Sequence, residues 1–494
     1  MVAFRKQVLL SNIKWHRWFA WIGGFALLCF ALSGLLHPLM SWTGPKAKSF
    51  FPPQAIMKVE YAAAIPEILQ KHKINQAIMI KVVPSENGAV LQVTDDNTKP
   101  RRYFDLDSYN ELKDYDKIQA VWLARYYSGL KDTKILNVKF QTEFNSAYPW
   151  VNRLLPVYEI SFVSDDNLKL FIYTELGALT AITNDYKTSL QTIFRALHTW
   201  NFLDDFDYAR VLLMLILLIG IFALLITAIN LIFLMKSRRL TIKRKIHRVL
   251  SYFIWIPLLM FSISGTYHLL HFAYGDNHRG LKHANPVELK DYKFADNLDW
   301  LDKLQAVKFN AISLVNGPDG NLLYRLSIPK GRPGQAISRQ IRYDGMPIEK
   351  PALYFDTKTG IESDVTDKEM AVLYAKMHQD FKLENIEDVS LITRFGPNYD
   401  FRNKRLPVWR IDIASDLGDK LFIDPATGML VDRLVDSNRY EGYSFSFLHK
   451  WNFLTPFVGR SYRDIIIVFF ISLVLISTIS GFLMLIRKTK FKAK

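Results

Sequence analysis

Four long apolar runs interrupt an otherwise mixed pattern, at about 18–40, 211–235, 249–272 and 465–486. Each is long enough to cross a bilayer's hydrocarbon core of ~30 Å as a helix. Between them the apolar positions recur at shorter periods. Tyr61–Lys71 spaces Ala62, Ile65, Ile68 and Leu69 along one face, which predicts a short helix. Residues 77–83 and 89–94 alternate like strands and are split by Pro84-Ser-Glu-Asn-Gly88, a turn sequence. Residues 158–163 and 168–173 predict a second hairpin across Ser164-Asp-Asp-Asn167. Residues 186–197 carry Leu190, Ile193, Phe194 and Leu197 on one face, an amphipathic helix suited to a membrane surface. Pro38, Pro45, Pro52 and Pro53 are expected to end the first long helix and open a soluble segment.

The pattern contains itself twice. Residues 14–39 and 245–270 both open with Lys-x-His-Arg, carry Ser-Gly near the far end and close around a histidine. The step from His16 to His37 is 21 residues, and so is the step from His247 to His268. On a helix that is a rise of roughly 31 Å, with both rings within about 60° of one face. Residues 155–172 match 406–423 without a gap, and the same offset of 251 carries Gly177 to Gly428, Tyr148 to Tyr399 and His198 to His449. The chain therefore reads as two similar halves, 1–235 and 236–494, in the same orientation, as in a parallel repeat. The expected fold is an α+β membrane protein with four transmembrane helices in two tandem repeats. Its first helix lies within 1–40 and a first soluble domain at 41–186. An interfacial helix and second span occupy 187–235, and a basic loop and third span 236–272. A second soluble domain follows at 273–441, then an interfacial segment, fourth span and basic tail at 442–494.

The net charge of +16 changes this picture once it is mapped. It resides in 1–17, 236–248 and 487–494, three acid-free segments with four, seven and five Lys/Arg, and the remainder is neutral. Short basic segments beside apolar spans follow the positive-inside pattern, so both termini are expected in the cytoplasm. This reading excludes nucleic-acid binding. The first apolar run is too long for a cleaved signal peptide. The one cysteine, Cys29, lies within it as a small apolar residue, so the chain can form no internal disulfide, thiolate cluster or Cys-x-x-Cys-His haem attachment. Gly23-Gly24 in the same run suits close helix packing.

Histidines carry the candidate chemistry. Six of eleven form repeat-matched pairs at membrane boundaries: His16/His247, His37/His268 and His198/His449, with His271 one turn beyond His268. An ionisable residue at such a position is costly, which favours a function over chance. His37, His198, His268 and His449 are expected to gather at the outer rim beside the two Trp-Asn-Phe-Leu sequences. Imidazole is an axial ligand of haem iron, and helical bundles build such sites from facing side chains. The four suggest two bis-histidine b-type haems, pairing His37 with His198 and His268 with His449, or crossing between the halves. His16 and His247 could share a third. The competing readings are simple anchoring among headgroups and direct zinc, iron or copper binding. Carboxylates beside the four are few, with Asp204, Asp205 and Asp207 following one copy alone. His72, His278, His283 and His378 are expected to be solvent-exposed and without a role. No Walker loop, dinucleotide glycine motif or His-Glu-x-x-His is present. Reducing equivalents would then come from a quinol or from a partner protein with its own flavin or nicotinamide.

The Trp15-His-Arg-Trp18 opening, the Ser33-Gly-x-x-His37 end and the four-span layout resemble the bacterial PepSY-associated transmembrane family. Tyr354-Phe-Asp-Thr-Lys-Thr-Gly360 and Leu421-Phe-Ile-Asp-Pro-Ala-Thr-Gly-Met-Leu-Val431 are similar to the strand–turn–strand ending of PepSY domains, with Asp424 and Gly428 suited to the turn. The first half departs from this pattern with Tyr173-Thr-Glu-Leu-Gly177. The resemblance covers nearly the whole chain and is weaker in 41–140. That family includes iron-regulated inner-membrane proteins and siderophore reductases of Gram-negative bacteria. The resemblance implies a periplasmic PepSY-like domain in each half and haem b held by His37, His198, His268 and His449 as axial ligands. It also implies a bacterial inner-membrane location and reduction of a ferric siderophore to release Fe(II), with electrons from a quinol or a cytoplasmic reductase. The alternatives are a PepSY-type regulatory, partner-binding module and an iron or siderophore transporter. Four spans are few for a transporter, and no broken-helix pair is evident beyond Pro257.

Overall fold

The computed structural model describes residues 2–235, 241–275, 281–283, 285–295, 301, 304, 308–329, 341–345, 348, 350–378 and 386–490. Its helices in chain order are α1 (Val2–Thr43), α2 (Tyr61–Lys71), α3 (Tyr115–Ser128), α4 (Asp185–Phe194), α5 (Asp207–Leu234), α6 (Ile242–Tyr274), α7 (Ile341–Asp344), α8 (Asp367–Met377), α9 (Asp436–Ser444) and α10 (Thr455–Lys490). The chain separates into two compact units. One comprises Met1–Gly44, Tyr186–Asn277 and Ser437–Lys494, and the other Pro45–Asp185 and His278–Asp436.

The first unit is helical. Phe4–Thr43, Asn201–Leu234, Ile242–Tyr274 and Asn452–Ile486 are long and apolar enough to cross a membrane, as a multi-pass membrane protein requires. Helices α1, α5, α6 and α10 pack in a closed circuit, each against two others. Ala26, Leu217, Ile221, Leu225, Leu258 and Val474 belong to its core. A side chain at Gly23 would come within 2.5 Å of the Gly220 carbonyl, so glycine is what lets α1 and α5 approach this closely. The expectation that Pro38 ends the first helix is not met, because α1 runs through it to Thr43. Proline costs a helix one N–H bond to the residue four back. That residue is Gly34.

The second unit is built on antiparallel sheets. The predicted helix is α2, with Ala62, Ile65, Ile68 and Leu69 buried as expected. Both predicted hairpins form: Met79–Ser85 pairs with Gly88–Thr94, and Val157–Phe162 with Lys169–Tyr173. The halves repeat here too. Ile135–Gln141, Val157–Phe162, Lys169–Tyr173 and Ala178–Thr183 make a four-stranded meander under α3. Ile386–Ile392, Val408–Ile413, Lys420–Asp424 and Met429–Leu434 make its counterpart under α8.

The soluble segments 41–186 and 273–441, expected as two domains, join as one unit. Ala311–Asn316 of the second half pairs with Met79–Ser85 of the first, with Ile312 opposite Val82, inside one seven-stranded sheet. Each strand would otherwise present an open edge, and pairing across the halves satisfies both. A buried ion cluster also bridges the halves: Arg405 bonds Glu175 of the first half and Asp424 (2.7 Å), and Lys81 bonds Glu175. Burial alone would raise the Glu175 carboxyl's pKa, but the Arg405 and Lys81 charges hold it well below the usual range.

Candidate functional site

Two irregular turns place the central histidines. Each of α4 and α9 runs directly into one π-helical turn, Arg195–Thr199 and Phe445–His449. Such wide turns interrupt regular helix geometry and recur at functional sites. Each is followed by a tryptophan in the left-handed region, Trp200 at φ 54° or Trp451 at φ 49°. For a bulky side chain that backbone is strained, and here it recurs at matched positions in both halves. His198 and His449 sit within these turns.

Their surroundings match as well. The His198 ring stacks on Phe194 at 4.8 Å, with Phe30 edge-on at 5.7 Å. The His449 ring stacks on Phe445 at 4.7 Å, with Phe261 edge-on at 5.5 Å. Ser33 Oγ lies 2.9 Å from His198 Nδ1, and Ser264 Oγ 3.0 Å from His449 Nδ1. Ser33 donates its hydroxyl hydrogen to the Cys29 carbonyl (2.7 Å), and Ser264 donates to that of Phe261 (3.1 Å). With its hydrogen given to that carbonyl, each serine oxygen accepts from its histidine, an arrangement that assigns the proton to Nδ1 and leaves the Nε2 lone pair available. An outer hydrogen bond that fixes the tautomer and ring plane is the usual support of a metal-binding histidine.

The same logic extends to the other matched histidines. His268 Nδ1 donates to Glu441 Oε1 at 2.5 Å. His247 Nδ1 lies 3.0 Å from the Ser477 carbonyl, which can only accept. His16 Nδ1 lies 3.1 Å from Thr227 Oγ1, whose own hydrogen goes to the carbonyl of Leu224 (2.9 Å) or Ala223 (3.0 Å). These three bonds likewise place the proton on Nδ1. His271 differs, since its Nε2 bonds Asn438 Oδ1 at 2.7 Å.

His37, His198, His268 and His449 gather close enough to interact electrostatically. The His198 and His449 rings, one from each half, are 6.3 Å apart and nearly perpendicular. Within each half a phenyl ring intervenes. Phe445 stacks on both His268 (4.4 Å) and His449, and Phe194 contacts both His37 (6.1 Å) and His198. Of the two pairings left open by the spacing, the ring contacts favour the one across the halves. The ring separation and the aromatic walls fit two imidazoles that would hold a haem between them. Among the described residues, no group of three or more His, Cys, Asp or Glu side chains could hold a metal ion directly.

At this site the halves differ beside His268 and His271. Glu441 and Asn438 are buried beside His268 and His271, whereas the matched first-half positions are Leu190, Lys187, His37 and Met40. Ser33, Ser264 and Glu441 had no assigned role in the sequence reading. The signal for the serines was present in the repeated Ser-Gly. Of the histidines expected to be exposed, His378 is buried and donates Nε2–H to the Gly428 carbonyl at 3.3 Å. His72 and His283 are half-buried, the first bonding the Tyr109 carbonyl at 2.9 Å. They line folded segments rather than projecting from them, and burial lowers the His283 pKa to about 4. His278 lies outside the described residues. No protein-family model matches the chain, and no curated protein or solved structure matches it.

Proposed function

We propose that this chain is a membrane haem protein that passes electrons to an external acceptor. The carrying observation is the His198–His449 pair, 6.3 Å apart with both Nδ1 protons committed to serines. A b-type haem bound there would supply one-electron transfer. The chain's own residues do the positioning. His198 and His449 would hold the group across the halves, while Ser33 and Ser264 keep both rings in the ligating tautomer. Phe194, Phe445, Phe30 and Phe261 wall the rings from water. His37 and His268 flank the pair, and His16 and His247 lie close enough to each other to interact electrostatically.

The resemblance to the PepSY-associated transmembrane family supplies the rest of the reading. The acceptor is a ferric siderophore, reduced in the periplasm so that iron leaves as Fe(II). Electrons enter from a quinol or a cytoplasmic reductase, and the chain sits in a bacterial inner membrane with both termini cytoplasmic. The test is a visible spectrum of the detergent-purified protein, oxidised and dithionite-reduced, with haem per chain quantified. Sharp reduced bands of six-coordinate b-type haem, discharged on adding a ferric siderophore, are expected. A colourless protein expressed with ample haem would overturn the reading.

A second measurement concerns the asymmetric carboxylate. A histidine that donates to a carboxylate is the more basic ligand and stabilises the oxidised metal. Glu441→Gln keeps an acceptor for His268 Nδ1 and removes the charge. A rise in one midpoint potential, with the other unchanged, is expected in a spectroelectrochemical titration if His268 ligates. Unchanged potentials throughout would leave Glu441 as a helix tether.

A further inference from the structure

We propose that the exposed face of α1 between Phe4 and Lys14 docks an acidic, water-soluble one-electron carrier protein. The inference rests on the electron-transfer reading above and names the class of its donor. The helical unit divides its charges between its ends. The chain's first carboxylate is Glu60, none falls between Asp207 and Asp276, and none follows Asp464. The end of the unit that holds His16 and His247 therefore has no Asp or Glu of its own, and Arg5, Lys6, Lys14 and Arg17 make no ion pair among the described residues.

Depth separates two of these cations from ordinary membrane anchors. Lys14 and Arg17 stand where the apolar run of α1 begins, and positive residues commonly fix a span there. Lys6 and Arg5 precede His16 by ten and eleven residues, roughly 15 Å farther along the helix. The headgroup layer outside the hydrocarbon core is only about 5–8 Å deep on each side, so this pair stands in water. Helix α1 also outruns its neighbour. Asn230 of α5 donates to Asn12 at 3.1 Å, and α5 ends four residues later at Leu234, whereas α1 continues for ten residues to Val2. Asn12 and His16 turn toward α5, which leaves the other face open. Lys6, Leu10 and Lys14 follow one another there at four-residue steps, all exposed. Phe4 is 72% exposed and Leu10 57%. Apolar side chains set among cations, beyond the reach of lipid, match the apolar centre and polar rim of a protein contact. An acidic partner supplies the missing countercharge and is steered to it. It would be oxidised by one electron while the bound haem iron goes from Fe(III) to Fe(II), with no bond or proton exchanged.

The test uses the full haem-loaded chain in lipid nanodiscs, with a plant-type ferredoxin as the acidic carrier and duroquinol as an uncharged reductant. Haem reduction by each is followed by stopped flow. The ferredoxin rate is expected to fall at least about tenfold between about 20 and 300 mM salt, and the quinol rate to stay constant. Arg5→Gln with Lys6→Gln should lower the ferredoxin rate at least about fivefold at low salt and leave haem content and the quinol rate unchanged. Arg5→Lys with Lys6→Arg should keep the rate, which separates loss of charge from loss of fold. Equal ferredoxin rates in wild type and the double glutamine variant, or a rate indifferent to salt, would overturn the proposal. Equal rates with weaker retention of phosphatidylglycerol in that variant would overturn it too, by assigning both charges to the membrane. A haem reduced by duroquinol and untouched by ferredoxin would sink the docking face and spare the haem reading. A colourless chain that binds oxidised ferredoxin through Arg5 and Lys6 would keep the docking face and sink that reading.

Discussion

Alanine at His198 or His449 is expected to abolish the low-spin haem spectrum, and the two variants should look alike. Each imidazole is one member of a cross-half pair, so losing either leaves the iron at most one strong ligand from that pair. Haem that stays bound would then be five-coordinate, and the sharp reduced bands would collapse even where the haem content falls only in part. His37→Ala is the informative companion. Pairing within a half predicts that it costs as much as His198→Ala. Pairing across the halves predicts that the low-spin bands of this haem survive, because Phe194 stands between the His37 and His198 rings. Ser33→Ala and Ser264→Ala should be intermediate, lowering haem affinity by about 10–100-fold, as loss of an outer hydrogen bond to a ligand does. Absorption spectra and haem per chain, read on all five variants against wild type, decide among these outcomes. Unaltered bands in both His198→Ala and His449→Ala would remove these imidazoles as ligands.

The repeat made the spans and the six matched histidines legible, because apolar runs and recurring polar residues are both one-dimensional signals. The short elements of the first half were legible for the same reason, since Ala62, Ile65, Ile68 and Leu69 announce the buried face of α2 by spacing alone. Pairing was less accessible. The contact between Ile312 and Val82 joins strands far apart in the chain, and an alternating strand carries no mark of which edge it will meet. The tautomers of His198 and His449 were out of reach too, since they depend on which carbonyl takes each serine's hydrogen. The ion cluster left a trace that needed two departures read together. Glu175 stands where the other half has Ala426, and Arg405 where the other half has Leu154. Each looks like a lapse in the repeat, and together they are a pair across it.

That pair carries the largest expected effect on stability. Glu175→Gln should destabilise the sheet unit by about 3 kcal/mol or more, because it strands buried cations. Arg405 would keep Asp424 at 2.7 Å, but Lys81 would lose its one carboxylate ion-pair partner among the described residues. The pH dependence follows from the direction of the shift. The carboxyl's folded pKa is depressed below its unfolded value of about 4.3, so its contribution is fully present above that value. It is lost as pH falls through the folded pKa. The gap in unfolding midpoint between wild type and Glu175→Gln should therefore be widest at neutral pH and shrink below about pH 4. Thermal or denaturant melts of the full chain at pH 7 and pH 3 provide the check, and a gap that does not change with pH would refute the assignment. Glu175→Ala with Arg405→Leu installs the residues that the repeat places at the matched positions. Removing both charges together should cost less than the sum of the single changes, since neither partner is left buried against nothing, and Lys81→Met should recover part of the remainder. Additivity of the three changes would mean that the buried charges act independently and do not couple the halves.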